Sequence, residues 1–164
     1  MANILANTAA KISPEEIAMR ERRRRAMAVL TCSSAEEIAR YLAALGSLPA
    51  HTQLREPQSG LVMLRGRIGG DGAPFNFGEA TVSRCAVRLA TGETGLGYAL
   101  GREHERARLI ALVDALIQLE QWQPVLEKNV LTPIEDRLTA EREKATQHVA
   151  ATKVEFFTLV RGEG

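Results

Sequence analysis

The hydrophobic pattern changes period twice along the chain. Ile38, Tyr41, Leu42 and Leu45 fall on one helical face. From His51 to Gly101 the period becomes two-fold and is punctuated by glycines and a proline, which predicts strands. Beyond Gly101 it is helical again, with Leu109, Leu112, Val113, Leu116 and Ile117 in a broad stripe that must pack on something, most simply the sheet.

Boundary signals sharpen these elements. Ser13-Pro14-Glu15-Glu16 is a capping-box pattern with proline at the first helical position, opening a helix that runs to about Leu30. Ser34 and Glu37 repeat the spacing, and Gly46 ends the second helix. Leu61, Met63, Arg65 and Arg67 alternate with Val62, Leu64, Gly66 and Ile68, a strand whose one face turns basic at its end. Gly69-Gly70-Asp71-Gly72 predicts a reversal into a second strand, about Phe77 to Leu89. That strand has Thr81, Ser83, Cys85, Val87 and Leu89 on one side and Val82, Arg84, Ala86 and Arg88 on the other. A turn at Thr91-Gly92-Glu93 leads to a third strand, Gly95 to Leu100, and links this short favour antiparallel neighbours. The helix after Gly101-Arg102 is expected to end near Trp122 to Pro124. Thr132-Pro133-Ile134-Glu135 reads as another capping box for a helix to about Thr152 with a thin apolar stripe, Ile134, Leu138, Ala145 and Val149. Such a helix is either solvated or completes its burial against a partner. Lys153 to Val160 has strand character and includes Phe156 and Phe157.

The expected fold is α+β, a small antiparallel sheet packed by N-terminal and C-terminal helices. Residues 1–12 are read as a loose tail and 13–164 as one domain, which suits 164 residues of which 45% are apolar. Twenty-one Lys and Arg against twenty Asp and Glu leave a formal charge of +1, so any basic site must be local. Neither a signal-peptide core nor a run of the roughly 18 apolar residues needed for a span is present, which leads to the expectation of a cytoplasmic protein without a membrane partner. Cys32 and Cys85, distant and outside any CxxC, are expected to be free thiols.

Most chemical signatures fail on inspection. Arg20-Glu21-Arg22-Arg23-Arg24-Arg25 could grip phosphates, but it reads first as a solvated helix face partly neutralised by Glu15 and Glu16, and no aromatics are interleaved to stack bases. The segment Gly66 to Gly72 lacks the Lys-Ser/Thr end of a P-loop, and Gly95 to Gly101 is spaced GxGxxxG instead of as the dinucleotide fingerprint. His104-Glu105 begins like a zinc helix, but Arg108 occupies the second ligand position, so no metal is expected. One constellation survives. Arg65, Arg67, Arg84 and Arg88 sit on neighbouring strands, and Gly101-Arg102 sits where a strand meets a helix N-terminus; both suit phosphate or phosphonate oxygens, or carboxylates at a subunit interface.

Several segments, in order and spacing, resemble the PhnG family over about Arg25 to Gly162. They are Gly60-Leu61-Val62, Arg67 to Gly72, Phe75 to Leu89, Gly95-Leu96-Gly97-Tyr98, Gly101-Arg102, Asp114-Ala115-Leu116 and Phe156-Phe157-Thr158-Leu159-Val160-Arg161-Gly162. The resemblance implies a subunit of the carbon–phosphorus lyase core complex, with PhnH, PhnI, PhnJ and PhnL type subunits as partners. With PhnH, PhnI and PhnL, such a chain would serve the transfer of the ribose triphosphate moiety of ATP to an alkylphosphonate with release of adenine. The complex would use ATP, with a divalent metal, and the chain itself would carry no cofactor. Arg106-Ala107-Arg108 stands where many relatives carry a histidine and a glutamate, so no catalytic role passes to that spot. Phe156 and Phe157 join the arginines as candidates for a subunit interface. The competing readings are an autonomous nucleic-acid-binding module using Arg20 to Arg25, and a stand-alone hydrolase.

Overall fold

The computed structural model describes residues 13–69 and 71–151. Three antiparallel strands, β1 (His51–Arg67), β2 (Pro74–Leu89) and β3 (Thr94–Leu100), lie in the order β1-β2-β3. Helices α1 (Pro14–Leu30) and α2 (Ala35–Ala44) precede them. Helix α3 (His104–Leu116), a 3₁₀ turn (Glu120–Trp122), the short α4 (Gln123–Leu126), a π turn (Glu127–Leu131) and α5 (Thr132–Ala151) follow. The α+β expectation holds.

Alternation along β2 decides which way the sheet faces. Cys85, Val87 and Leu89 are buried against α3, whereas Arg88 on the opposite face is exposed. Helix α3 lies so close to β3 that side chains would not fit between them. A Cβ on Gly97 would stand 1.9 Å from the Ala107 carbonyl oxygen, and one on Gly95 2.0 Å from that of Ala111. These glycines therefore set the helix–sheet distance. Beyond α3 the core closes on Ala26, Val29 and Leu30 of α1, Ile38 and Leu42 of α2, and Leu126, Val130, Leu131 and Ile134 of the C-terminal half, forming one buried cluster.

Ser13 and Glu16 form the expected reciprocal cap of α1, and Ser34 accepts from the Glu37 amide to start α2. Two boundaries differ from expectation. Helix α3 stops at Leu116, well before Trp122. Gln118 donates from its side-chain amide to the carbonyls of both Asp114 and Thr94, at 2.8 Å each, satisfying a last-turn acceptor from outside the helix ladder and tying the turn to β3. Thr132 is not a cap either. The π turn hands the chain on in helical conformation, so no free N-terminus exists there, and Glu135 binds Arg25 instead.

The arginine run is likewise not a simple solvated face. Arg23 pairs with Asp114, Arg24 with Glu21, and Arg25 with both Glu127 and Glu135, while Glu16 serves the α1 cap. Periodicity within α1 cannot reveal these partners, because the acids that hold Arg23 and Arg25 lie about a hundred residues away.

Candidate functional site

The face of the sheet turned away from α3 carries the principal cluster of predicted residues. Arg84 and Arg88 project from β2, opposite Tyr98 and Thr94 of β3. On β1, Arg55 stands opposite Ala86 and Gln58 opposite Arg84. The Arg84 guanidinium lies across Gly60, its Cζ 3.7 Å from where a Cβ would be, and its Nε is shielded from solvent without a hydrogen-bond partner among the described residues. Around it the face is apolar and bare, with Tyr98 46% and Leu100 68% exposed.

Arg65 and Arg67 do not join this cluster. They pair opposite Asn76 and Pro74, eight and ten residues along β2 from Arg84, which at the rise of a strand is roughly 26–33 Å. Both lie on the distal hairpin, where Arg67 donates to the Gly72 carbonyl at 3.1 Å and so braces its own turn. The alternation that makes β1 basic at its end is interrupted by a register shift between Leu64 and Arg65. Both faces of this ribbon are largely open: Leu61 is 65% and Phe77 59% exposed.

Gly101 and Arg102 occupy the junction of β3 and α3. Gly101 adopts φ +85°, a conformation that suits glycine, donates its N–H to the Thr81 carbonyl at 2.8 Å and accepts the Ser83 hydroxyl at 2.9 Å. Arg102 is exposed beside it. Glu103 precedes α3 without a side-chain cap bond, and His104 Nε2 meets the Ser59 hydroxyl at 2.8 Å. Within the first turn Glu105 pairs with Arg108, whose hydrogen bond holds the Glu105 carboxyl below its usual range. Phe156 and Phe157 lie outside the described residues.

A polar node that sequence reasoning did not single out as a site links three elements. Asp114, only 4% exposed on α3, accepts from Arg23 Nε at 2.8 Å and Nη2 at 2.7 Å, and from the Leu96 backbone N–H at 2.8 Å. Leu96 points that N–H outward because Gly95, Gly97 and Ala99 use theirs toward β2, a phase fixed by the bonds from Gly101 to Thr81 and from Leu89 to Glu93. Asp114 thus covers the edge of β3, and its hydrogen bond raises the Arg23 pKa above the ordinary value. The available signal was an aspartate inside an apolar helical stripe. A groove of about 400 Å³ opens next to it between α1 and β3, lined in part by Met27, Ala28, Leu96 and Tyr98.

Among the described residues, no group of three or more His, Cys, Asp or Glu side chains could hold a metal. Burial pushes the Cys85 thiol above its usual pKa, which disfavours the nucleophilic thiolate. No helix of the described residues is long and apolar enough to cross a membrane.

A small α+β scaffold with a bare arginine-bearing sheet face, an exposed apolar ribbon and a structural polar node has the features of an assembly subunit. Residues 21–162 match the family model described as phosphonate metabolism protein PhnG, and the chain belongs to that family. It is 45% identical over 141 residues to the alpha-D-ribose 1-methylphosphonate 5-triphosphate synthase subunit PhnG of Rhizobium meliloti (strain 1021), covering 86% of this chain and 90% of that one.

Proposed function

We propose that the chain is an accessory subunit of an alpha-D-ribose 1-methylphosphonate 5-triphosphate synthase. It acts with PhnH, PhnI and PhnL type subunits, and a PhnJ type subunit in the same core, in a cytoplasmic assembly. The assembly replaces the adenine of ATP by an alkylphosphonate, using ATP with a divalent metal. The observation that carries this reading is the 45% identity to the curated subunit across nearly its whole length. The exposed apolar ribbon supports it, since a two-stranded ribbon is marginal in water by itself. In this role the chain shapes a site on a larger subunit, with Arg84, Arg88 or Arg102 available as contacts for anions or for neighbouring subunits. The nucleic-acid alternative is weakened because Arg23, Arg24 and Arg25 are engaged by carboxylates.

The test is adenine release from ATP plus methylphosphonate by the cognate PhnH, PhnI and PhnL proteins, with and without this chain. Phosphonate-dependent release that requires the chain supports the reading. Equal release without it refutes the reading, and turnover by the purified chain alone would point to a stand-alone enzyme.

A further inference from the structure

Three observations converge on the face of the sheet opposite α3. The first concerns charge. Arg55, Arg84 and Arg88 occupy it, and no carboxylate stands at its paired positions on β1 from Thr52 to Val62, on β2 from Val82 to Arg88, or on β3 from Thr94 to Leu100. Glu56 falls in the irregular stretch between Arg55 and Gln58 and forms no ion pair among the described residues. Elsewhere among the described residues Arg23, Arg24, Arg25, Arg108 and Arg137 meet carboxylates, whereas Arg20, Arg22, Arg40 and Arg102 also form no ion pair. What sets this face apart is that its arginines stand together with no carboxylate among them.

The second observation is an unmet donor. Arg84 Nε is cut off from solvent by its own surroundings and has no acceptor among the described residues. The shielded Nε is itself out of reach of a docking group, so a partner carboxylate meets Arg84 through its terminal nitrogens. The unmet Nε marks a guanidinium whose hydrogen bonding is left incomplete among the described residues. The third is shape. Leu96, Tyr98 and Leu100 stand exposed beside Arg84 on a regular sheet surface. Leu96 and Tyr98 also form one wall of the groove beside α1, and an arginine amid exposed aliphatic and aromatic side chains matches the core of a protein–protein interface.

We propose that this face seats a partner protein's segment in which a carboxylate flanked by apolar side chains meets Arg84, the apolar groups covering Leu96, Tyr98 and Leu100. The proposal rests on the subunit reading above and adds to it the face used and the chemistry that recognises it. Arg55 and Arg88 flank the contact and steer an acidic segment toward it, so association weakens as salt rises.

The experiment measures binding of the full-length chain to the remaining cognate core subunits, purified together without it, at several salt concentrations. Adenine release is followed in parallel. Wild type is compared with Arg84→Glu, Arg84→Gln, Leu100→Asp and a control on α2, Arg40→Glu, after each is shown to melt like wild type. The expected result is that Arg84→Glu and Leu100→Asp weaken binding about thirtyfold or more, the effect of losing a central interface contact, while Arg40→Glu binds as wild type. Arg84→Gln should also flatten the salt dependence. If Arg84→Glu fails to fold, Arg84→Gln and Leu100→Asp decide the matter. Unchanged binding by these variants, with adenine release intact, overturns the docking face and leaves the subunit reading standing. Unchanged binding with release lost in the Arg84 variants also overturns it, because Arg84 then meets a substrate anion. A wild-type chain that neither binds nor supports release removes both readings.

Discussion

Replacing Asp114 by alanine removes the acceptor shared by Arg23 of α1 and the Leu96 N–H of β3. Two losses follow. The Leu96 N–H points from the strand edge into a site shaped for a carboxylate, and leaving such a donor unmet costs about 1–3 kcal/mol. Arg23 loses both bonds, but its side chain is 33% exposed and can turn to water, so this part should fall near the ~1 kcal/mol of a surface pair and below the 3–5 kcal/mol of a fully buried one. The total is about 2–4 kcal/mol, a large share of the 5–15 kcal/mol that holds a typical domain together. Asp114→Asn keeps an oxygen for Leu96 but loses the charge-assisted fork to Arg23, and should cost roughly half as much. Urea unfolding of both variants, of Arg23→Ala and of the double variant measures these terms and their coupling. A loss below about 0.5 kcal/mol for Asp114→Ala, or no coupling between the two positions, would refute the claim that this node ties α1 and α3 to the sheet edge.

Further outcomes follow from the same geometry. Gly97→Ala places a methyl 1.9 Å from the Ala107 carbonyl oxygen and should destabilise by more than about 3 kcal/mol, whereas Gly78→Ala, with nothing within 4 Å, should be far milder; thermal melts compare them. Exposed Cys32 should react with a thiol reagent in the native protein, and buried Cys85 only on unfolding; equal native rates would contradict the packing of Cys85 against α3. Because burial raises the Cys85 pKa, its contribution to stability is complete below the ordinary thiol value and is lost as pH rises through the raised one. The melting temperature should therefore fall more steeply above about pH 9 in wild type than in Cys85→Ala. The arginine run of α1 should give no tight, steeply salt-dependent binding to random duplex DNA near physiological salt, which a fluorescence anisotropy titration would check.

The positions of the elements were largely legible along the chain, because they depend on local chemistry. Ser13 and Ser34 announce two helix starts, and alternation around Cys85, Val87 and Leu89 marks the buried face of β2. The candidate arginines were legible as residues but not as a group. Strand adjacency alone does not say how far along a ribbon two side chains lie, and here a 17-residue β1 puts Arg65 and Arg67 at the far end of the hairpin from Arg84. The final turns of α3 and the start of α5 escaped for a different reason. Gln118 and Glu135 are satisfied by Thr94 and Arg25, partners that no local pattern contains.

By itself, then, the sequence determined the order of helices and strands, the inward face of β2 and, through its family segments, membership in the PhnG family. Periodicity, caps and turns act over a few residues, and family motifs are read in order. Only the tertiary structure decided that Asp114 serves a strand edge, that Arg23 and Arg25 are already spoken for, and that Arg84 stays unmatched on a bare sheet face. Those outcomes depend on which distant charges and donors the packing of α3 against β3 brings within about 3 Å, the range over which a hydrogen bond forms.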